Sequence, residues 1–466
     1  MTLLKRFGKV FKFQVSSFKV VRGFSLACLR ASHRQAISDP KGSHYTSCIL
    51  YLATIFLLST SVGCKSLVTV DSAGNPQSAV RSPQSWDTYL KNKERHGATE
   101  DAVKVPLVSY WSFDITKLNL SIDVASVLKI LPYYPMQNSS PAVVDDIAYI
   151  GSMDKIFYAL DLNNKKVLWE FKTTGAVESS PAVYSNKVYF GANDGIFYCL
   201  DAKNGKEIWR FNIKTEVISA PLIVNETVYF SSVDDRLYAL NTSTGEKVWQ
   251  YSRGSIKKMT RRQYASPAYY NNKIYMLFSD GYLAGLDAAS GRELWKKKIR
   301  DEDMTQYARS TPTIDNGRLY IINSERNVVV LDADKGDEKW KFDAVQSQDF
   351  AIKKNTIFLL HPEGQVYAVN KITGENLWRR KVTKGSPVSA IVSGNHIIIV
   401  SNYTSAPFDL EILTRRGSSI DVFTIDNGEL VWTEDVGSAI STTPAAAYNK
   451  LLFVSDKGTL YVYKGR

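Results

Sequence analysis

Tryptophan is the residue best placed to do chemistry in this chain, and it returns on a schedule. Trp169, Trp209, Trp249, Trp295, Trp340, Trp378 and Trp432 are separated by 40, 40, 46, 45, 38 and 54 residues. A ring of indoles could be a platform for a flat aromatic cofactor. Eight residues before six of the seven stands an Asp or Asn (Asp161, Asp201, Asn241, Asp287, Asp332, Asn370), a supply of oxygen ligands for a divalent cation. Both readings founder on their own regularity. A bound group needs one special position. Equal residues in every unit suit indoles packing between units and Asx side chains closing turns.

Other reactive side chains are sparse. His361 and His396 fall in separate units, so no Ser-His-Asp or metal constellation assembles. Of the four cysteines, Cys28, Cys48 and Cys64 precede the repeats. Cys199 sits in a strand phrase as a small apolar residue, and no spacing suggests zinc or a disulfide framework. The expectation is a chain with no catalytic residue, no cofactor site and no metal site.

The elements that carry the tryptophans are short. Phrases such as YCLDAKNGKEIW and YALNTSTGEKVW hold a glycine four residues before the indole at Gly205, Gly245, Gly291, Gly336, Gly374 and Gly428. Glycine takes the positive-φ turn position, so each phrase predicts a β-hairpin. Upstream stands a second pair of alternating apolar runs, as in AVYSNKVYFGA, and most units open on a proline: Pro141, Pro181, Pro221, Pro267, Pro312, Pro387, Pro444. Four strands per unit at a period of 40 to 50 residues describe a propeller blade. The final unit, Pro444 to Arg466, stops after three strands, whereas Trp111 in PLVSYWSFDI lies on a strand with no hairpin before it. Together they predict an all-β fold over 107–466, an eight-bladed β-propeller of four-stranded blades, closed by an N-terminal strand around Trp111.

The net charge of +12 suggests nucleic acid until it is located. Residues 1–63 hold nine Lys and Arg against one acid, Asp39, a surplus of +8, which leaves +4 scattered over the remainder. Phosphate-backbone binding is not supported, and no nucleic-acid partner is expected. Ile49 to Leu58 is an apolar run of ten, shorter than the roughly 20 residues of a membrane span and right for a signal-peptide core. Residues 1–63 therefore read as a basic leader with a signal peptide, although 1–47 also fit an organellar transit sequence. Residues 64–106, with Asn75-Pro76, Ser82-Pro83 and a charge run from Lys91 to Glu100, read as a polar tether.

Two resemblances add to this reading. The stretch ending in Val62, Gly63 and Cys64 resembles the lipobox of bacterial lipoproteins, with Ser61 where Leu is usual. It implies lipid attachment at Cys64 and, with no Asp after the cysteine, an anchor on the periplasmic face of the outer membrane. The phrase YALDxxxGKxxW resembles the repeat of the pyrroloquinoline-quinone propeller superfamily, and Pro106 to Arg466 is similar to its BamB family of outer-membrane assembly lipoproteins. The irregularities agree: Gln348-Asp349-Phe350 replaces the proline opening of unit six, and long approaches precede Pro267 and Pro312. The resemblance implies a non-enzymatic scaffold that contacts the POTRA domains of a BamA-like barrel protein and assists nascent outer-membrane proteins. Arg262, neighboured by Arg261, stands where the family carries a contact arginine, and Tyr307 and Arg309 stand where it carries paired acids. A general cell-envelope binding propeller remains an alternative, with NYTSAPFDLEILTRRG (402–417) intruding into unit seven. A quinoprotein dehydrogenase of the same superfamily would bring adjacent cysteines, which the chain lacks.

Overall fold

Five- and six-residue runs of alternating polarity, broken by Asn, Asp and Gly, make strands rather than helices. In the computed structural model of the protein, every regular element among the described residues is a β-strand. The structure describes residues 84–116, 139–253, 265–301, 311–343, 345–405, 415–440 and 442–466, all within the unit Ser78–Arg466.

Blade 1 is an antiparallel sheet of Ala142–Val144, Ile147–Gly151, Ile156–Asp161 and Lys166–Lys172, in that order. Blades 2 to 7 repeat it from first strands Ala182–Tyr184, Leu222–Val224, Ala268–Tyr270, Thr313–Asp315, Asp349–Lys353 and Ser386–Ser393. Blade 8 joins Ala445–Ala447, Lys450–Val454 and Thr459–Gly465 to Leu107–Asp114, which sets Trp111 opposite Val462. The expected eight-bladed propeller closed by the Trp111 strand is the observed fold. First strands lie against first strands of neighbouring blades, blade 8 against blade 1 included, so they line the ring axis.

The tryptophan schedule has a local cause. In every blade the outer strand carries a β-bulge, so the residue just before the indole (Tyr110, Leu168, Ile208, Val248, Leu294, Lys339, Leu377, Val431) is skipped by the pairing. A bulge re-aims the next side chain. Small residues lie opposite the indole, among them Ala159, Cys199, Ala239 and Gly285, and that is the place of Cys199 in the fold. The indole then reaches the following blade. Nε1 donates to the carbonyl of Ala202 from Trp169, Thr242 from Trp209, Ala288 from Trp249, Ala333 from Trp295 and Ile425 from Trp378, at 2.9 to 3.1 Å. The turn glycine of that next blade lies flat on the ring: a Cβ on Gly245 would stand 2.6 Å from Trp209. Its φ of 73° is thus one of two reasons for glycine there.

The expected polar tether over 64–106 does not hold for its second half. Residues 86–106 form a strap that runs inside the ring and visits the blades in order. Trp86 exchanges two 2.7 Å backbone bonds with Val143 of blade 1, and Val183 N of blade 2 donates to Asp87 O at 2.8 Å. The Thr88 hydroxyl bonds the Pro221 carbonyl at the start of blade 3, 3.3 Å. Tyr269 N reaches Lys93 O in blade 4, Ile314 N reaches Glu94 O in blade 5, and Ile352 N reaches His96 O in blade 6. Ala98–Thr99 pairs in parallel with Val392 and Ser393 of blade 7, and Lys104 N bonds Asn449 Oδ1 of blade 8. Polar composition was a misleading guide because the strap is held mainly through its backbone, whose groups must pair when buried. Trp86, the one tryptophan outside the repeat, is 1% exposed.

Candidate functional site

Antiparallel order decides where irregular sequence can accumulate. Connections from an outer strand to the next first strand, and from a second to a third strand, emerge on one face of the ring. First-to-second and third-to-fourth turns emerge on the other. Those turns are tight, for example Ser185-Asn186 and Asn271-Asn272, whose paired positive φ values mark two-residue hairpins. The long connections 117–138, 254–264, 302–310 and 406–414 all join strand ends on the first face. Blade 7 adds to it, since its second and third strands pair out to Ser405 and Arg415. Three of these segments stand out in the sequence one by one. Their common face needed the topology.

Arg261, Arg262, Tyr307 and Arg309 lie in 254–264 and 302–310, outside the described residues, as does Cys64. The roots of these two segments are described and are rigidly held. Arg253, the last residue before 254–264, places two guanidinium nitrogens 2.7 and 2.9 Å from Asp280 and a third 3.7 Å from Glu293, over the Tyr282 ring at 4.5 Å. Burial works against its charge, but Asp280 and Tyr251 hold the guanidinium pKa above its ordinary value. At the other root, Arg300 is buried and donates to Ile322 O at 2.7 Å, and Asp301 N donates to Ser324 Oγ at 2.7 Å. Arg253→Met, which takes from Asp280 the guanidinium that bonds it, at a side chain only 13% exposed, is expected to cost about 1–3 kcal/mol by urea unfolding. An unchanged midpoint would show that the cluster does not stabilise the root.

Beneath the same junction Asp235 accepts from Ser279 N at 3.0 Å and from the Ser279 hydroxyl. Burial raises its pKa above the ordinary 3.8. A raised carboxyl binds its proton more tightly when folded, so its contribution is fully present below 3.8 and is lost as pH rises through the folded value. Asp235→Asn should therefore gain melting temperature relative to the parent as pH rises above that ordinary value. Parallel melting curves at all pH values would refute the shift.

The repeated Asx side chains, expected to close turns, do so. Asp161 accepts from Asn163 N, Asn164 N and Asn164 Nδ2 at 3.0, 2.8 and 2.8 Å, and the Asn164 bonds hold its pKa below 3.8. Among the described residues no three His, Cys, Asp or Glu side chains gather as a metal site would need. At the axis, the strap leaves a crevice of about 10 Å³ between Asp87, Thr88 and Lys93 and the first strands of blades 2 and 3. That is room for about one water, where small-molecule sites span about 300–1,000 Å³.

The family model described as outer membrane protein assembly factor BamB matches residues 110–198, 188–380, 325–416 and 362–466. No curated protein matches the sequence. Among solved structures, BamB from Moraxella catarrhalis aligns at 17% identity, covering 77% of this chain and 99% of that one, with a TM-score of 0.57. A quinohemoprotein alcohol dehydrogenase from Pseudomonas putida HK5 aligns at 14% identity over 82% of this chain and 80% of its own, TM-score 0.58. The computationally designed protein Ika8 aligns at 16% identity over 72% and 98%, TM-score 0.56. An assembly factor, an enzyme and a design share the ring, so these likenesses establish the fold and leave function to the residues.

Proposed function

Because this chain belongs to the family of the outer membrane protein assembly factor BamB, with matches running from residue 110 to residue 466, we propose that it is a non-enzymatic scaffold for outer-membrane β-barrel assembly. In this reading Cys64 carries a lipid anchor that holds the protein at the periplasmic face of the outer membrane. The ring engages the POTRA domains of a BamA-like partner and presents nascent outer-membrane proteins to it. The single observation that carries the proposal is the gathering of long connections on one face of a ring whose axis is filled by its own chain. Segments 254–264, with Arg261 and Arg262, and 302–310, with Tyr307 and Arg309, join strand ends at adjacent blade junctions there. Arginine on such a face suits an interface anchor, and rigid roots lower the ordering cost of binding.

Affinity purification from native membranes, followed by protein identification, tests the reading. A POTRA-barrel protein should be recovered, and Arg262→Glu should reduce that recovery at least about tenfold, the equivalent of 1.4 kcal/mol, without changing the melting temperature. Recovery equal to the parent would remove Arg262 from the interface, and consistent absence of any POTRA-barrel protein would overturn the assembly role. Metabolic lipid labelling lost in Cys64→Ala would support the anchor, and unchanged labelling would sink it. The lengthened blade-7 hairpin favours one further reading, a general binding propeller; loss of all captured protein on removal of 406–414, with Arg262→Glu inert, would favour it.

A further inference from the structure

The strap is not needed to close the ring. Closure is complete once Leu107–Asp114 pairs with Thr459–Gly465. Residues 86–99 instead meet the ring as a bound peptide meets a receptor, turning between contacts where Lys91 N donates to Thr88 O and Gly97 N to Leu90 O. Inner-edge N–H groups of blades 1, 2, 4, 5, 6 and 7 donate to strap carbonyls, at Trp86, Asp87, Lys93, Glu94, His96 and Gly97. Main-chain pairing of this kind supplies affinity in strand-addition complexes, and side-chain seats supply specificity.

The principal seat belongs to Arg95, whose residue is 0% exposed. Its guanidinium donates to the Pro267 carbonyl at 3.0 Å, Pro221 at 3.0 Å and Ala220 at 3.4 Å, carbonyls that open the first strands of blades 3 and 4. It also reaches Tyr89 O at 2.6 Å and Thr88 Oγ1 at 3.1 Å within the strap. A planar five-donor group is the side chain that can fill such a fan of acceptors. Leu90, Lys91 and Arg95 hold positive φ of 56°, 73° and 63°. Non-glycine residues keep that conformation only where surroundings impose it.

We propose that the axial face of the ring is a peptide-binding site, specific for a turned segment bearing an arginine in this carbonyl fan, and filled in cis by residues 86–99. The site is independent of the assembly role above. It reads backbone and one guanidinium, so a second segment of the same chemistry competes with the strap for it.

The test nicks the full chain at a protease site inserted between Glu100 and Asp101. Native mass spectrometry and circular dichroism then follow the cut protein, and a fluorescent peptide spanning residues 84–100 is offered in trans. The expected result is a folded ring that keeps the cut segment and exchanges it for the peptide. The peptide carrying Arg95→Ala should bind at least about 100-fold more weakly, and the one carrying Arg95→Lys should lie between. Three results would overturn the proposal: unfolding on cleavage, loss of the segment without uptake of the peptide, or equal binding by the parent and Arg95→Ala peptides.

Discussion

Trp249→Ala is expected to lower the stability of the ring by about 3–5 kcal/mol, the cost of truncating a buried indole, whereas Trp340→Ala should cost about 1–2 kcal/mol. The two residues hold equivalent places in the repeat. Trp249 is 8% exposed, bonds Ala288 O at 2.9 Å and lies against Gly291, where a Cβ would stand 2.6 Å from the ring. Trp340 packs edgewise on Phe342 with centroids 3.8 Å apart, and Gly374 of the next blade has nothing within 4 Å of its Cβ position. The matching glycine changes separate the same way. Gly245→Ala meets both the Trp209 ring and a positive φ, while Gly374→Ala meets only the φ penalty of about 1 kcal/mol. Urea unfolding of the four variants checks the pattern. Equal losses at Trp249 and Trp340 would mean that seating between blades is not what the indoles supply.

Removing the closing strand should have the larger effect. A chain beginning at residue 84 retains the strap and the Leu107–Asp114 strand and should melt in one cooperative transition. A chain beginning at residue 104 loses the strap alone and should stay folded at a lower melting temperature, as a receptor does without its ligand. A chain beginning at residue 115 bares the edge of Thr459–Gly465 and the packing partners of Trp111, and should be recovered as aggregate. Size-exclusion chromatography with thermal melts distinguishes the three. A soluble monomer from residue 115 onward would show that seven complete blades suffice.

Much of the ring was legible because repetition averages local ambiguity. One hairpin phrase is a weak signal, but the same Asx, Gly and Trp spacing in unit after unit leaves few alternatives, and Trp111 without a hairpin completed the count. The bulge before each indole was invisible because it inserts no distinctive residue type. Gly245 was read for its φ and not for the indole of the previous blade, since neighbouring blades meet only in space. The strap was misread for a related reason. Arg95 looks solvated in one dimension, and only the ring around it supplies the carbonyls that make its burial tolerable. That the segments 254–264 and 302–310 join strand ends on one face follows from strand order, which spacing alone does not reveal.

The strap and the closing strand also impose an order in time. Both are made first, yet Arg95 waits for Pro267, 172 residues later, and Lys104 waits for Asn449, 345 residues later. A chain emerging from a ribosome or a translocon, N-terminus leading, therefore carries its axial filling and its clasp through synthesis with no place to put either. Each blade can form from contacts near in sequence, but the final step joins the two ends of the chain. Long-range pairing of that kind is slow and leaves open edges exposed. Folding should thus finish only after release of the C-terminus, with a late phase that senses changes in Thr459–Gly465 more than changes in any middle blade.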